Sequence, residues 1–163
     1  MHSQHPKIKQ FFPLVTKSLS RGAKAFSNGE KSYEASAIEK YAQDIFSRVS
    51  EIDNAFTKMS ITIEYLKKSC YDNSDYSFSD HHSFHVENFL LRLTSVVDRS
   101  YLLAGSTMLM ENHNIEKLGG NKTVSHELKS FSPGSYEILK KMEKEINHLR
   151  TCLLYTSPSP RDS

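Results

Sequence analysis

The chain has 163 residues, of which 37% are hydrophobic and 25% are charged, and its formal net charge is +2 at pH 7. This length suits a single domain that is large enough to bury a core. The small net charge excludes a strongly basic surface over the whole body, so any contact with RNA has to be local.

The first 34 residues are the most basic part of the chain. They contain six Lys or Arg residues and two Glu residues, a net charge of +4, which leaves −2 for the remainder. Their longest apolar run, "FFPLV", is broken by Pro13 and is shorter than the roughly 7 to 15 residues of a signal-peptide core. No apolar run approaches the roughly 18 residues of a membrane span. We therefore predict a loosely ordered basic arm at residues 1–34, no membrane association and a cytoplasmic location.

The next segment has the pattern of one long amphipathic helix. Apolar residues recur at steps of three and four from Ile38 to Cys70, which predicts a single apolar face. At 1.5 Å per residue, such a helix is roughly 50 Å long and needs partners along its length. Cys70 has no second cysteine outside the C-terminal tail, which fits a reducing compartment and excludes a disulfide framework.

Three further helices follow. Asp80 is a candidate N-cap for a second helix over residues 81–113, Gly119 and Gly120 permit the turn that ends this region, and a short helix reads "VSHELKSF". Ser135 is a candidate N-cap for the last helix, which ends in "EINHLR". The fold class predicted is all-α, an up-and-down bundle of about four helices with a long first helix and a truncated last one.

The second helix carries an unusual strip of polar residues at steps of three and four. One interpretation is a solvated face; the other is a surface for RNA, a phosphate or a partner, because the arginine fork binds phosphate through two hydrogen bonds. The RNA-binding candidates on this strip are His85, Asn88, Arg92 and Arg99, with Ser95 between them.

The histidines do not predict a metal site. His81 and His85 are four residues apart and could share one helical turn, but no cysteine lies nearby and no H-E-x-x-H motif occurs. We expect neither a metal nor a cofactor, and read the histidines as part of a polar helix start.

The last twelve residues, "CLLYTSPSPRDS", break the helical pattern just after Thr151. Read as protein they form a Ser/Pro-rich tail. Back-translated into codons, "CLLYTSPSPRD" matches in frame the DNA of the transposase mosaic end and adapter used for tagmentation sequencing libraries. We therefore interpret residues 152–163 as an adapter-derived tail and exclude them from the helical domain at residues 35–151.

The quoted helices resemble a known superfamily. "ENFLLRLTSVVDRSYLL" on a long helix, followed by a final helix reading "INHLR", is similar to HEPN domains, and most of all to the Cthe-type HEPN proteins of bacteria. The resemblance covers roughly residues 38–151. It implies an all-α bundle, and many such domains are metal-independent ribonucleases of toxin-antitoxin and phage-defence systems. It also implies RNA as substrate, a homodimer and an antitoxin partner.

The signature of these ribonucleases is an arginine and a histidine separated by four to six intervening residues. Arg150 matches the arginine and is the candidate catalytic residue, but Tyr155, Thr156 and Ser157 occupy the histidine window. The resemblance thus implies that the parent protein, with its natural C-terminus, is a ribonuclease, and that this chain is inactive because the histidine is missing. Two alternatives stay open: a non-enzymatic helical interaction or nucleotide/RNA-binding module, and a structural bundle that pairs through the long first helix.

Overall fold

The computed structural model describes the backbone of residues 1–156 and the side chains of residues 1–149. Every regular element in this part of the chain is helical. A 3-10 turn at His2–Gln4 precedes helices α1 (Pro6–Lys9), α2 (Phe12–Ser27), α3 (Ala37–Leu66), α4 (Phe78–Thr107), α5 (Asn112–Ile115), α6 (Gly120–Phe131) and α7 (Pro133–Thr156). The all-α bundle predicted from the sequence is confirmed, and none of the helices in residues 1–156 is long and apolar enough to cross a membrane.

Helices α3 and α4 form an antiparallel hairpin at the centre of the bundle. Glu51 lies beside Arg99, and Tyr65 lies beside His85, so positions along α3 rise as those along α4 fall. Each helix begins with a capping box, in which a serine side chain and a carboxylate three residues later satisfy each other's backbone N–H groups. These caps explain why two 30-residue helices begin where they do.

Helix α4 packs against α3 on one side and against α6 and α7 on the other. The largest cluster of buried apolar side chains comes from α4, α5, α6 and α7: Val97, Tyr101, Ile115, Val124, Leu128, Leu139 and Ile146. Gly105 allows close packing there, because a Cβ atom at this position would lie 2.7 Å from Ile115 Cγ2. At Gly120 a Cβ would collide with the carbonyl group of Ile115. The two glycines thus fix how the α4–α6 connection folds back on α4.

The N-terminal segment differs from the predicted loosely ordered arm. Helix α2 occupies residues 12–27 and packs on α3, burying Val15, Ser18 and Ala25. Pro13, which looked like a break in the sequence, lies in the first turn of α2, where proline costs no hydrogen bond. Five of the six Lys and Arg residues in 1–34 therefore lie on folded helices, and Lys31 lies between α2 and α3.

A second anchor holds the first residues of the chain to α3. The Asp53 carboxylate accepts hydrogen bonds from the backbone N–H groups of His2, at 2.6 Å, and Ser3, at 2.8 Å, and lies 2.8 Å from His2 Nδ1. Burial alone would raise the pKa of Asp53, but the bonds from Ser3 and His2 outweigh it and hold the pKa well below its usual range.

Several helix boundaries in the structure differ from the predicted ones. The first long helix ends at Leu66 instead of Cys70, Ser77 replaces Asp80 as the N-cap of α4, and α7 begins at Pro133, ahead of Ser135. Helix α7 runs past Thr151 to Thr156. The remainder of the 152–163 tail lies outside the described residues.

Candidate functional site

The polar strip predicted on α4 contacts α3 at both ends, through His85 against Tyr65 and Arg99 against Glu51. Its five residues are all partly buried, and Arg92 Nε donates to Asn88 Oδ1 at 3.3 Å within the strip. The strip is therefore neither a plain solvated face nor one continuous binding surface, and its two ends have different surroundings.

At one end of the strip, Arg99 is committed to the fold. Its Nη1 lies 3.0 Å from Glu51 Oε2, and Arg48 bridges the same carboxylate to Glu116. Arg99 Nε is buried without a hydrogen-bond partner among the described residues. Fourteen residues of helix, roughly 21 Å, separate Arg99 from His85. The structure thus does not bring Arg99 to the same surface as His85.

At the other end, His85 belongs to a cluster of stacked rings. It stacks on Tyr65, with ring centroids 4.8 Å apart, and Tyr71 stacks on His81 at 4.2 Å. Tyr71 also stacks on His85 at 5.8 Å. We call Tyr65, Tyr71, His81 and His85 the aromatic–histidine cluster.

The loop between the two long helices holds this cluster in place. The Tyr71 hydroxyl donates to the carbonyl oxygen of Tyr65 at 2.8 Å, which turns the chain back toward the end of α3. Ser74 Oγ lies 2.6 Å from His81 Nε2 and ties the later part of the loop to α4. The rings are therefore positioned by hydrogen bonds at both ends of the loop.

An open groove of about 580 Å³ runs along the cluster. Tyr65, Tyr71 and His81 line it together with Lys67 and Lys68. The Lys68 ammonium lies 4.4 Å from the centre of the Tyr65 ring, within the range of a cation–π contact. The groove thus combines ring faces with two cations, and Tyr65 keeps 40% of its surface exposed.

The electrostatics of the cluster keep His85 neutral. Burial lowers the pKa of His85, and the nearby positive charges of His81, Lys68 and His82 lower it further. His85 Nδ1 is buried without a partner among the described residues. No group of three or more His, Cys, Asp or Glu residues suited to a metal ion occurs within the described part of the chain.

Sequence reasoning missed the tyrosines and lysines of this site. The apolar spacing of Leu66 and Cys70 predicts that "YLKKSC" is the end of the long amphipathic helix and that Tyr71 begins the loop. The helix ends at Leu66, and the residues after it turn toward α4. Two adjacent lysines between tyrosines were the available signal.

The candidate catalytic residue lies at the edge of the structure. Arg150 falls within α7, but its side chain lies outside the described residues, and so do the side chains of Tyr155 and Thr156. Ser157 lies outside the described part of the chain altogether. The pairing of Arg150 with a catalytic histidine therefore stays a prediction.

The fold and the site define an all-α helical bundle with an aromatic and basic groove at one end of its central hairpin. Comparisons of the chain with protein-family models, with curated proteins and with solved structures find no match. The resemblance to HEPN domains stays a hypothesis from the quoted residues.

Proposed function

We propose that this domain binds single-stranded RNA at the aromatic–histidine cluster. The observation that carries the proposal is the groove in which stacked Tyr65, Tyr71 and His81 rings lie beside Lys67 and Lys68. Proteins that bind single strands combine aromatic faces, on which bases stack, with cations that follow the phosphate backbone. His85 is the one predicted RNA-binding residue that belongs to this cluster.

The charge of the groove sets the expected strength of binding. Three aspartates in the same region, Asp72, Asp75 and Asp80, offset the two lysines, so stacking contributes more than charge. Asp80 is occupied, because its carboxylate accepts the N–H and hydroxyl of Ser77 in the capping box. With two phosphate contacts, log K against log salt has an expected slope of about −1.4 for a single strand.

Binding is tested by fluorescence anisotropy with a labelled single-stranded RNA. The double variant K67A/K68A is expected to bind about tenfold more weakly, because both phosphate contacts are lost. The matched control is K17A/K24A, which removes the same charge from exposed positions on α2. Equal losses in both variants would show attraction by net charge alone, and the absence of binding by the unmodified chain would refute the proposal.

Stacking is tested separately with Tyr65→Leu, which keeps apolar bulk and removes the ring. Stacking contributes about 1–3 kcal/mol per base, so affinity should fall by about tenfold. Phe131→Leu, at an exposed ring on α6, is the control and should leave affinity unchanged. An unchanged affinity for Tyr65→Leu would remove the stacking platform from the proposal.

The more specific part of the proposal concerns catalysis in the intact parent. The resemblance to HEPN ribonucleases supports it: a histidine separated from Arg150 by four to six residues would move the 2'-hydroxyl proton, and the guanidinium would stabilise charge on the phosphorane. As printed, the chain has no histidine in that window, so we expect it to bind RNA without cleaving it.

Long-read sequencing of the source locus across the Thr151 codon, from a library made without a transposase, tests this part. A histidine at the expected spacing makes a repaired chain worth building. In that chain Arg150→Ala should abolish cleavage and leave the circular dichroism spectrum unchanged. Retained cleavage would remove Arg150 from the mechanism, and a genomic read that contains "CLLYTSPSPRDS" would make the tail part of the protein.

A second candidate function is a non-enzymatic interaction module that forms a homodimer or takes an antitoxin-like partner. Phe84 and Leu91, seven residues apart on α4, are 61% and 57% exposed, and this exposure favours it. Light scattering across a concentration series distinguishes the two candidates. A dimer that Phe84→Ser and Leu91→Ser dissociate, in a chain that does not bind RNA, supports the interaction module.

A further inference from the structure

A second groove lies between α6 and α7, away from the aromatic–histidine cluster. It encloses about 330 Å³, and Tyr101 of α4 lines it together with residues from both later helices. Sixteen residues of α4, roughly 24 Å, separate Tyr101 from His85. The two grooves therefore do not share a wall.

Cations dominate the α6 side of this groove. Lys122, His126 and Lys129 recur at steps of four and three, so they lie on one strip of α6 that lines the groove. The side chains of Lys122 and Lys129 form no hydrogen bond or ion pair with another described residue, and both are exposed. Two ammonium groups are thus free to meet an anion.

The α7 side is close to neutral. Lys140 Nζ lies 2.5 Å from Glu143 Oε2, so these two charges largely cancel. The excess positive charge of the groove therefore comes from Lys122 and Lys129, and it is concentrated on α6.

A buried hydroxyl group forms the floor. Tyr101 is 1% exposed, and its hydroxyl lies 3.4 Å from Glu143 Oε2. Burial and the Glu143 charge raise the pKa of Tyr101, so the hydroxyl stays protonated at neutral pH, and it donates its one hydrogen bond to Glu143 Oε2 over a long 3.4 Å.

We propose that the α6–α7 groove binds a small phosphate-bearing molecule, with Lys122 and Lys129 holding the phosphate and the Tyr101 hydroxyl exchanging its long bond to Glu143 for one to the phosphate. Lysine binds phosphate as a compact point charge, and two free lysines on one wall match a dianion. The groove has the volume of a site for a small molecule. The proposal is independent of RNA binding at the aromatic–histidine cluster.

Isothermal titration calorimetry with inorganic pyrophosphate tests the site. We expect one molecule to bind per chain with a Kd at or below about 1 mM. K122A/K129A should weaken binding by about tenfold, whereas K141A/K144A, which removes the same charge from exposed positions on α7 outside the groove, should change it by less than about twofold. No binding to the unmodified chain, or equal weakening by both pairs, would overturn the proposal.

Two further measurements define the ligand class. Tyr101→Phe keeps the buried ring and removes the hydroxyl, and should weaken pyrophosphate binding by about threefold with an unchanged melting temperature. K122A/K129A should leave RNA affinity within about twofold of the unmodified chain. If pyrophosphate displaces RNA and K122A/K129A weakens RNA binding equally, the groove belongs to the RNA surface and the separate site is refuted. Pyrophosphate binding in a chain that does not bind RNA would support this site and refute only the RNA proposal.

Discussion

The two ends of the α3–α4 hairpin differ in what surrounds them. We call the end away from the connecting loop the closed end, because α6 and α7 cover it. There, residues 94–107 of α4 include six buried residues. We call the end beside the connecting loop the open end. There, residues 78–93 of the same helix include no buried residue. One continuous helix thus serves as core over half its length and as surface over the other half. The polar strip that crosses both halves therefore has no single role.

Charged groups show the same difference. Glu39, Asp53 and Arg99 at the closed end each have partners that hold the bundle together. Lys67 and Lys68 at the open end have no ion pair with a described residue, and the Lys68 ammonium lies over the Tyr65 ring. A polar residue in this fold is a binding candidate when its partner is missing, and sequence spacing does not reveal this.

The largest expected effect compares two aromatic residues of α4. Tyr101→Ala, at the closed end, should lower the free energy of unfolding by about 3–5 kcal/mol, because it empties a large site in the core. Phe84→Ala, at the open end, should change it by less than about 0.5 kcal/mol, because that ring is mostly exposed. Urea denaturation measures both. Similar losses would show that the Phe84 ring is buried in solution against another molecule.

A smaller effect is expected where the first residues attach to α3. Asp53→Ala leaves the N–H groups of His2 and Ser3 without their acceptor and should cost about 2 kcal/mol. Asp44→Ala, at an exposed position on α3, is the control and should stay within about 0.5 kcal/mol. Thermal melts of the two variants decide the point, and equal stabilities would mean that the N-terminal turn adds nothing to the closed end.

The smallest effect is a dependence of stability on pH. The N–H and hydroxyl of Ser36, together with Arg21 and Tyr33, lower the pKa of Glu39 from 4.5 to about 2. A carboxylate with a lowered folded-state pKa stabilises the fold fully above its unfolded value, and this contribution is lost as the pH falls from about 4.5 toward 2. The stability difference between the unmodified chain and Glu39→Gln should therefore shrink across that window.

Asp80 gives the matching experiment at the open end. Its pKa is also lowered, by the side chain and then the backbone N–H of Ser77, but no arginine in the described part of the chain pairs with it. Asp80→Asn should therefore show a weaker pH dependence than Glu39→Gln in denaturation series at several pH values. A stronger pH dependence for Asp80→Asn than for Glu39→Gln would contradict the expectation that charged groups stabilise the closed end more than the open end.

The long helices were predictable because their apolar spacing extends over many turns. The predicted start at Ile38 lies one residue from the observed start of α3 at Ala37. Helix α2 was missed because Pro13 suggests a break, yet proline is favourable in the first turn of a helix. Periodicity also predicted burial of Ile38 and Ile63, which are 60% and 40% exposed.

The site was harder to predict than the helices. His85 was selected for its place on a strip, but the stacking that makes it a candidate comes from Tyr65 and Tyr71, which only the turn after Leu66 brings to it. Arg99 was selected on the same spacing and is paired with Glu51. Contacts between helices decide which member of a strip is free, and spacing within one helix carries no information about them.

The close packing at Gly105 and Gly120 also has an evolutionary consequence. Any side chain at either position would collide with Ile115, so a descendant of the same fold has almost no freedom to vary there. Gly134 lies in open space and can drift without penalty. Two invariant glycines fifteen residues apart, flanking an isoleucine, are therefore the mark by which distant relatives of this bundle should be sought, ahead of any residue of either groove.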